Sequence, residues 1–349
     1  MTNKTFAGNF FEDFRVGQVI THATPRTVTE GDVSLYTALY GPRFAINSSD
    51  EFARAVGMER APVDDLLAFH IVFGKTVPDV SLNAVANLGY ANGRFGVPLF
   101  TGDTVTTTST VTGLKENSSG KTGVVYVNSV GVNQRGEMLL DYTRWVMVNK
   151  RDAAAPAPEP MVPALPASVP SEGLVLPAGL SLGGYDTTLA GSPFVWGDYE
   201  VGEKIDHVEG MTIEEAEHQI ATRLYQNTAK VHFDQKIADA GRFGRRLIYG
   251  GHIISLARCL SFNGLANAFK VLAINAGSHA NPTFAGDTIY AYSEVLEKIE
   301  LADPLVGALQ VRLVATKDRP AGDFPYKGDD GKYDASVVLD LDYTLALPR

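Results

Sequence analysis

The chain has 349 residues, 45% of them hydrophobic and 20% charged, which is enough apolar content for about two domains with packed cores. A formal net charge of −10 argues against nucleic acid or an anionic membrane surface as partner, and no run approaches the roughly 18 apolar residues that span a bilayer. The single cysteine, Cys259, excludes an internal disulfide, so a reducing, cytoplasmic setting is expected, with Cys259 a small core residue on a helix.

The segment Met1 to Phe11 is polar and has no apolar signal core. An opening segment ends in a Val16-Gly17 turn, and His22 belongs to an early strand. Thr29-Glu30-Gly31-Asp32 reads as an N-terminal cap, which predicts a helix to about Leu39. A short helix is expected over Ser49–Val56 and a longer apolar one over Leu66–Val77. The chain then turns to β: Thr104–Val111 is nearly all β-branched, and Gly123–Val132 and Met138–Val148 alternate well enough for strands. Asp152–Pro170 is dominated by Ala and Pro, so it reads as a linker without packed structure of its own.

These boundaries divide the chain into a first unit at 1–151, a linker at 152–182 and a second unit at 183–349. The second unit repeats the order. It has a Val201-Gly202 turn, a capping sequence at Thr212-Ile213-Glu214-Glu215 and a helix to Tyr225. A short helix over Asp234–Ala240 and an apolar helix over His252–Asn263 follow. Strands are predicted at Val271–Ala276, Thr288–Leu296, Gln310–Thr316 and Ala335–Ala346. Helices first and antiparallel strands afterwards is an α+β order.

The halves are two diverged copies of one unit. Asp13, Val16, Gly17, Ile20 and His22 fall on Asp198, Val201, Gly202, Ile205 and His207. Thr37, Leu39, Tyr40 and Ala53 fall on Thr222, Leu224, Tyr225 and Ala238. Pro98, Phe100, Gly102, Asp103 and Thr104 fall on Pro282, Phe284, Gly286, Asp287 and Thr288. Asn47 lies opposite His232, and Pro42 opposite Asn227. Only the second copy keeps a histidine there, which predicts one working site per chain.

The segment from Tyr225 to Asp234, with Ala238 beyond, resembles the (R)-specific enoyl-CoA hydratases (hydratase 2, MaoC-like). Those enzymes carry Asp-x-Asn-Pro-x-His with a small residue six positions after the His. Ser278–Thr288 resembles their strand that enters a Pro and then a Gly-Asp-Thr turn, and Arg94–Thr104 repeats it. The stretches Asn47–Arg54, Pro62–Leu67, Phe73–Asp79 and Asn227–Phe233 look like the mesaconyl-CoA (2-methylfumaryl-CoA) hydratases, also called β-methylmalyl-CoA dehydratases. The resemblance implies a double hotdog fold, in which each unit wraps an antiparallel sheet on a long helix and the two sheets pair edge to edge. It also implies a cofactor-free hydro-lyase acting on an acyl-CoA thioester. The family Asp falls at Asn227 here. An amide cannot serve as a carboxylate base, although it can orient a water. His232 then becomes the main proton-transfer group. Asp234 either assists it or caps the short helix that follows.

Adding water to a conjugated thioester needs a base for water, an acid for Cα and a donor for the thioester oxygen as it gains enolate charge. Histidine suits the first two. A backbone N–H at a helix start suits the third, which points to Gly250 and Gly251 ahead of His252. The first-half equivalent, Asp64-Asp65-Leu66, reads as a helix cap, and its carboxylates would repel an enolate. Arg245 and Arg246 are the first candidates to read a second substrate carboxylate, with Arg242 and Arg223 behind them. Solvated surface positions or CoA phosphate contacts remain open for all four. Tyr225 is read as an aromatic approach to the substrate, and His252 and His279 as supporting groups on the substrate side. His22 and His207 read as structural, His70 as a core residue and His218 as a helix-surface group.

No metal-ligand spacing, P-loop or dinucleotide fingerprint is present, so no cofactor is expected. Sheet-edge or helix contacts predict a homo-oligomer. Two other functions fit parts of the pattern: a hotdog thioesterase using the same helix start, and a non-catalytic acyl-CoA binding protein, suggested by Asn227.

Overall fold

In the computed structural model, which describes residues 4–349, the first half runs β1 (Val19–Thr27), α1 (Glu30–Tyr40), α2 (Ala45–Ser48), α3 (Asp50–Ala55), α4 (Asp65–Thr76), β2 (Ala84–Phe95), β3 (Thr104–Glu116), β4 (Thr122–Val132) and β5 (Met138–Asn149). After a short helix α5 (Thr187–Ala190), the second half runs β6 (Lys204–Thr212), α6 (Glu215–Leu224), α7 (Lys230–Phe233), α8 (Gln235–Asp239), α9 (Gly250–Leu260), α10 (Phe262–Leu265), β7 (Lys270–His279), β8 (Thr288–Glu300), β9 (Val306–Lys317) and β10 (Val337–Pro348).

Local signals place most of these ends. Thr29 caps α1 in a reciprocal box: its N–H donates to Asp32 Oδ2 at 2.8 Å while the Asp32 N–H donates back to Thr29 Oγ1 at 3.3 Å. Ser49 caps α3 in the same one-sided way that Asp234 caps α8. The capping sequence expected at Thr212 does not cap. Thr212 ends β6, and its hydroxyl pairs with Thr288 Oγ1 at 2.8 Å, so α6 starts without a side-chain cap.

Helices α4 and α9 are mostly apolar and are buried on every side, together with a few polar residues such as His70, Lys75, His252 and Arg258. Every residue from Leu66 to Thr76 and from Gly251 to Leu260 lies in the interior. Each buried aliphatic or aromatic side chain contributes about 1.5–3 kcal/mol. The strands curl around these helices, giving two hotdog units. All ladders are antiparallel and form one ten-stranded sheet in the order β1-β3-β4-β5-β2-β7-β10-β9-β8-β6. The units join at β2–β7, where Tyr90 faces Gly277 and Gly93 faces Ile274.

Strand β2 has none of the β-branched richness that marks the other strands. It is built from Ala, Asn and Gly because of what crosses it. A Cβ at Gly89 would lie 2.3 Å from the Trp145 ring, and one at Gly93 would lie 3.1 Å from Ile274. The Ala/Pro stretch between the halves differs from the expectation of an unpacked linker. Val169 is buried and donates its N–H to Asn275 Oδ1 at 2.9 Å, Met161 bridges to Leu114 of β3, and Leu182 joins a core cluster. Cys259 is buried on α9, and no helix among the described residues is long and apolar enough to cross a membrane.

Repeat-related residues meet across the middle of the molecule. The Tyr225 hydroxyl donates to the hydroxyl of its counterpart Tyr40 at 2.7 Å. His22 and His207 are structural twins: each bonds a matching serine, Ser109 or Ser293, through Nε2 at 2.8 Å.

Candidate active site

His232 sits on α7, a single turn clasped on both sides. Leu247 donates its N–H to Val231 O at 3.1 Å, and Gln219 of α6 donates to His232 O at 3.2 Å. The ring is locked as well. A carbonyl can only accept, so the 2.7 Å contact between His232 Nδ1 and Leu247 O puts the proton on Nδ1. The lone pair is therefore on Nε2. Burial pushes the imidazole down to about 4, more than the Leu247 bond raises it, so it is neutral at pH 7. Around it stand the rings of Tyr249 at 5.7 Å and His218 at 6.2 Å. A neutral, oriented histidine of this kind can take a proton from water and return one to carbon.

Tyr249 is the N-cap of α9, and Gly250 and Gly251 form its first turn. Their N–H groups find no acceptor among the described residues, whereas the next one, of His252, is turned back to Tyr249 O. Two aligned free donors at the positive end of a helix can stabilise an oxyanion. The reason for glycine differs from the expected open approach. A Cβ at Gly250 would lie 2.3–2.5 Å from the His279 ring, and one at Gly251 would meet Tyr249 at 2.4 Å and His70 at 2.6 Å. The two glycines let three rings close over the helix start. His279 is held there by the Tyr90 hydroxyl, 3.2 Å from Nε2.

The remaining expected residues divide. Asn227 is buried just ahead of α7, and its Oδ1 accepts the Ala229 N–H at 3.1 Å. Asp234 gives its carboxylate to the Ile237 N–H at 3.2 Å, capping α8, and makes no hydrogen bond to His232. Tyr225 lies in the core, its ring tilted against His70 at 4.3 Å, so it is not a wall that a substrate would touch. His252 is also interior, bonded through Nδ1 to Tyr40 Oη at 2.7 Å. His70 is a satisfied core residue, 2.8 Å from Ser255 Oγ.

The four arginines are separated by their surroundings. Arg245 is exposed and lies over the Phe284 ring at 3.8 Å, and Arg242 lies over Phe243. Arg223 is exposed. Arg246 is half-buried. Its Nη2 pairs with the exposed Glu215 at 2.7 Å, and its buried Nε has no partner. It is close enough to His218 to oppose that ring's protonation. Two residues were not legible beforehand. His218 was expected on a helix surface but is 1% exposed, because it lies against the start of α9 and the rings of His232 and His252. Tyr249 carried no sequence signal beyond being an aromatic before two glycines.

The family model described as mesaconyl-CoA hydratase matches residues 2–322 of this chain. A β-methylmalyl-CoA dehydratase of Chloroflexus aurantiacus is 65% identical over 350 residues, covering 100% of this chain and 99% of that protein. A mesaconyl-CoA hydratase of Cereibacter sphaeroides is 64% identical over 346 residues, covering 99% and 100%. The crystal structure of a putative MaoC domain dehydratase from Chloroflexus aurantiacus superposes with a TM-score of 0.98 at 65% identity, over 100% of this chain and 99% of that one. A double-hotdog protein of Mycobacterium tuberculosis shares the fold with a TM-score of 0.78 at 23% identity, over 98% and 99%.

Proposed function

The chain belongs to the mesaconyl-CoA hydratase family, and from that premise we propose how its residues carry out reversible hydration of mesaconyl-CoA to β-methylmalyl-CoA. The enzyme is a hydro-lyase. Water loses a proton to His232 Nε2 as its oxygen bonds the β-carbon of the enoyl thioester. The electron pair of the double bond moves onto the thioester oxygen, where the N–H groups of Gly250 and Gly251 receive the charge. The enolate then collapses as the protonated His232 returns that proton to the methyl-bearing α-carbon, which restores the neutral ring. In this sequence His232 replaces the usual carboxylate–histidine pair, and the Asn227 amide orients the water. Arg246 reads the second carboxylate of the substrate by exchanging its exposed partner Glu215. Arg245 and Arg242, on the surface, meet the CoA phosphates.

The observation that carries this reading is the His232–Leu247 bond, which leaves a neutral imidazole with its basic nitrogen free. A reducing cytoplasmic setting fits the lone buried Cys259. The sheet ends at β1 and β6, and pairing of these edges between copies would build a homo-oligomer.

The test is the absorbance of the conjugated thioester after mixing purified protein with mesaconyl-CoA or crotonyl-CoA. Loss with mesaconyl-CoA is expected. Loss with crotonyl-CoA alone would remove the dicarboxylate assignment, and no loss with either would remove the hydratase reading.

A further inference from the structure

His218 makes an unusual contact. Its Nε2 accepts the backbone N–H of Tyr249 at 2.9 Å. That N–H belongs to the N-cap of α9, the residue just before the two free donors of Gly250 and Gly251. In a common capping arrangement a carboxylate three residues into the helix accepts this N–H. Here that place is His252, which is bonded instead to Tyr40. The acceptor comes from another helix, and it is an imidazole.

The first half shows the alternative. At the equivalent helix start, the N-cap is Asp64, whose carboxylate accepts the Leu66 N–H at 2.8 Å. The residue matching His218 is Val33. The half without His232 therefore holds its helix start with an anion, and the half with His232 uses a neutral ring. The difference has a direct chemical consequence. A carboxylate beside Gly250 and Gly251 would oppose the enolate that those donors are meant to stabilise. The His218 imidazole instead takes the N–H one residue earlier, that of Tyr249, so it adds no negative charge and leaves the Gly251 N–H, the counterpart of the Leu66 N–H, free.

We propose that His218 is a positioning residue that fixes the N-terminus of α9 for oxyanion binding while keeping that end of the helix free of anionic charge. This inference rests on the reading of Gly250 and Gly251 as the oxyanion donors. Burial keeps the ring neutral, with Arg246 opposing its protonation; His252 at 5.7 Å and His232 at 6.2 Å stand beside it, and among the described residues no carboxylate is hydrogen-bonded to it. His218 acts through Tyr249, so it governs the rate more than the affinity for substrate.

The experiment compares His218→Leu, His218→Gln and His218→Glu with the wild type, using mesaconyl-CoA hydration at about pH 8. Arg246 and the helix dipole favour the ionised form of a glutamate there and burial opposes it, so the comparison is repeated at about pH 9, where the glutamate carries its charge. Losing a whole oxyanion donor costs about 10²–10³ in kcat. Misplacing two donors by removing their anchor is expected to cost about 10–100-fold in kcat, with KM changed less than about threefold. His218→Gln, which restores an uncharged acceptor, returns kcat to within about threefold of wild type. His218→Glu caps the helix equally well yet stays as slow as His218→Leu.

A Glu variant as fast as the Gln variant, or a Leu variant within twofold of wild type, overturns the proposal. So does a rise in KM at constant kcat. If the Leu variant does not fold, the Gln and Glu variants decide the question. A wild type inactive on mesaconyl-CoA overturns the hydratase reading and this inference with it. An active wild type with equal Gln and Glu variants overturns this inference alone.

Discussion

Asn47 and His232 occupy the same place in the two halves and make the same bond. Asn47 Nδ2 donates to Pro62 O at 3.1 Å, and His232 Nδ1 donates to Leu247 O at 2.7 Å. Pro62 and Leu247 are themselves repeat partners. The structural part of the interaction has survived in both copies. What differs is the atom left over: a basic ring nitrogen in one half, an amide oxygen in the other. The first half has also closed its helix start. Asp65, at the place of Gly250, is tied to Lys270 Nζ and to the Val271 N–H, both at 2.9 Å. On the proposed reading, one half serves as scaffold and the other carries the proton chemistry.

Gly250→Ala is expected to destabilise the protein by about 1–3 kcal/mol, because its methyl would overlap the His279 ring. It should also slow hydration by moving the helix start. Adding His279→Ala should recover part of the stability, giving a favourable coupling of about 0.5 kcal/mol or more between the two sites. Urea unfolding of the single and double variants checks this, and simple additivity would show that the ring is not what excludes a side chain.

Arg246→Gln should raise KM for mesaconyl-CoA about tenfold or more and leave crotonyl-CoA hydration little changed, since a bidentate guanidinium–carboxylate contact exists for only one of them. Arg245→Gln should raise both KM values together. Steady-state kinetics on the two substrates separates these outcomes, and the reverse pattern would exchange the roles of the two arginines.

The pH profile follows from burial. His232 must be neutral to act as a base, and its pKa is pushed down to about 4, so kcat/KM should be flat through neutrality and fall as pH drops through about 4. An acid limb near 6.5, the ordinary value, would contradict a desolvated ring. Stability has its own acid window. His70 and His252, both pushed down to about 3, and His279, pushed down to about 4, stay neutral in the fold while the unfolded chain protonates below about 6.5. Their contribution is complete above that pH and is lost as pH falls below it, by up to about 1.4 kcal/mol per pH unit for each ring. Rates should therefore be read only where circular dichroism shows a folded protein.

Tyr40→Phe should cost more stability than Tyr225→Phe. Removing the Tyr40 hydroxyl leaves both the Tyr225 hydroxyl and His252 Nδ1 without their partner, about 2–4 kcal/mol in total. Removing the Tyr225 hydroxyl takes only one donor from Tyr40, about 1 kcal/mol. Denaturant midpoints of the two variants test the order, and equal losses would mean that the pair does not act as a chain.

Much of this architecture is legible in the residues, because repeat and pattern are local properties. The cap at Thr29, the apolar run of α4 and the β-branched strand at Thr104 each carry their own signal. Strand β2 does not: its glycines Gly89 and Gly93 are set by Trp145 and Ile274, which lie far away in sequence. The site divides in the same way. His232 is proposed from the hydratase resemblance and the glycine pair from its place at a helix start, and the structure sets the three close together around Tyr249. Tyr225 and His252 look like substrate contacts only until the fold turns them inward. His218 has no sequence signal at all, since its partner is a backbone N–H on another helix.

The most direct test is to follow the thioester absorbance of mesaconyl-CoA with the wild type and with His232→Asn at equal folded concentration. The asparagine copies the first half, so it keeps a donor for Leu247 while removing the basic nitrogen. The account predicts an intact fold and a loss of about 10²–10⁴ in kcat. A folded variant that hydrates mesaconyl-CoA at near wild-type rate would contradict it.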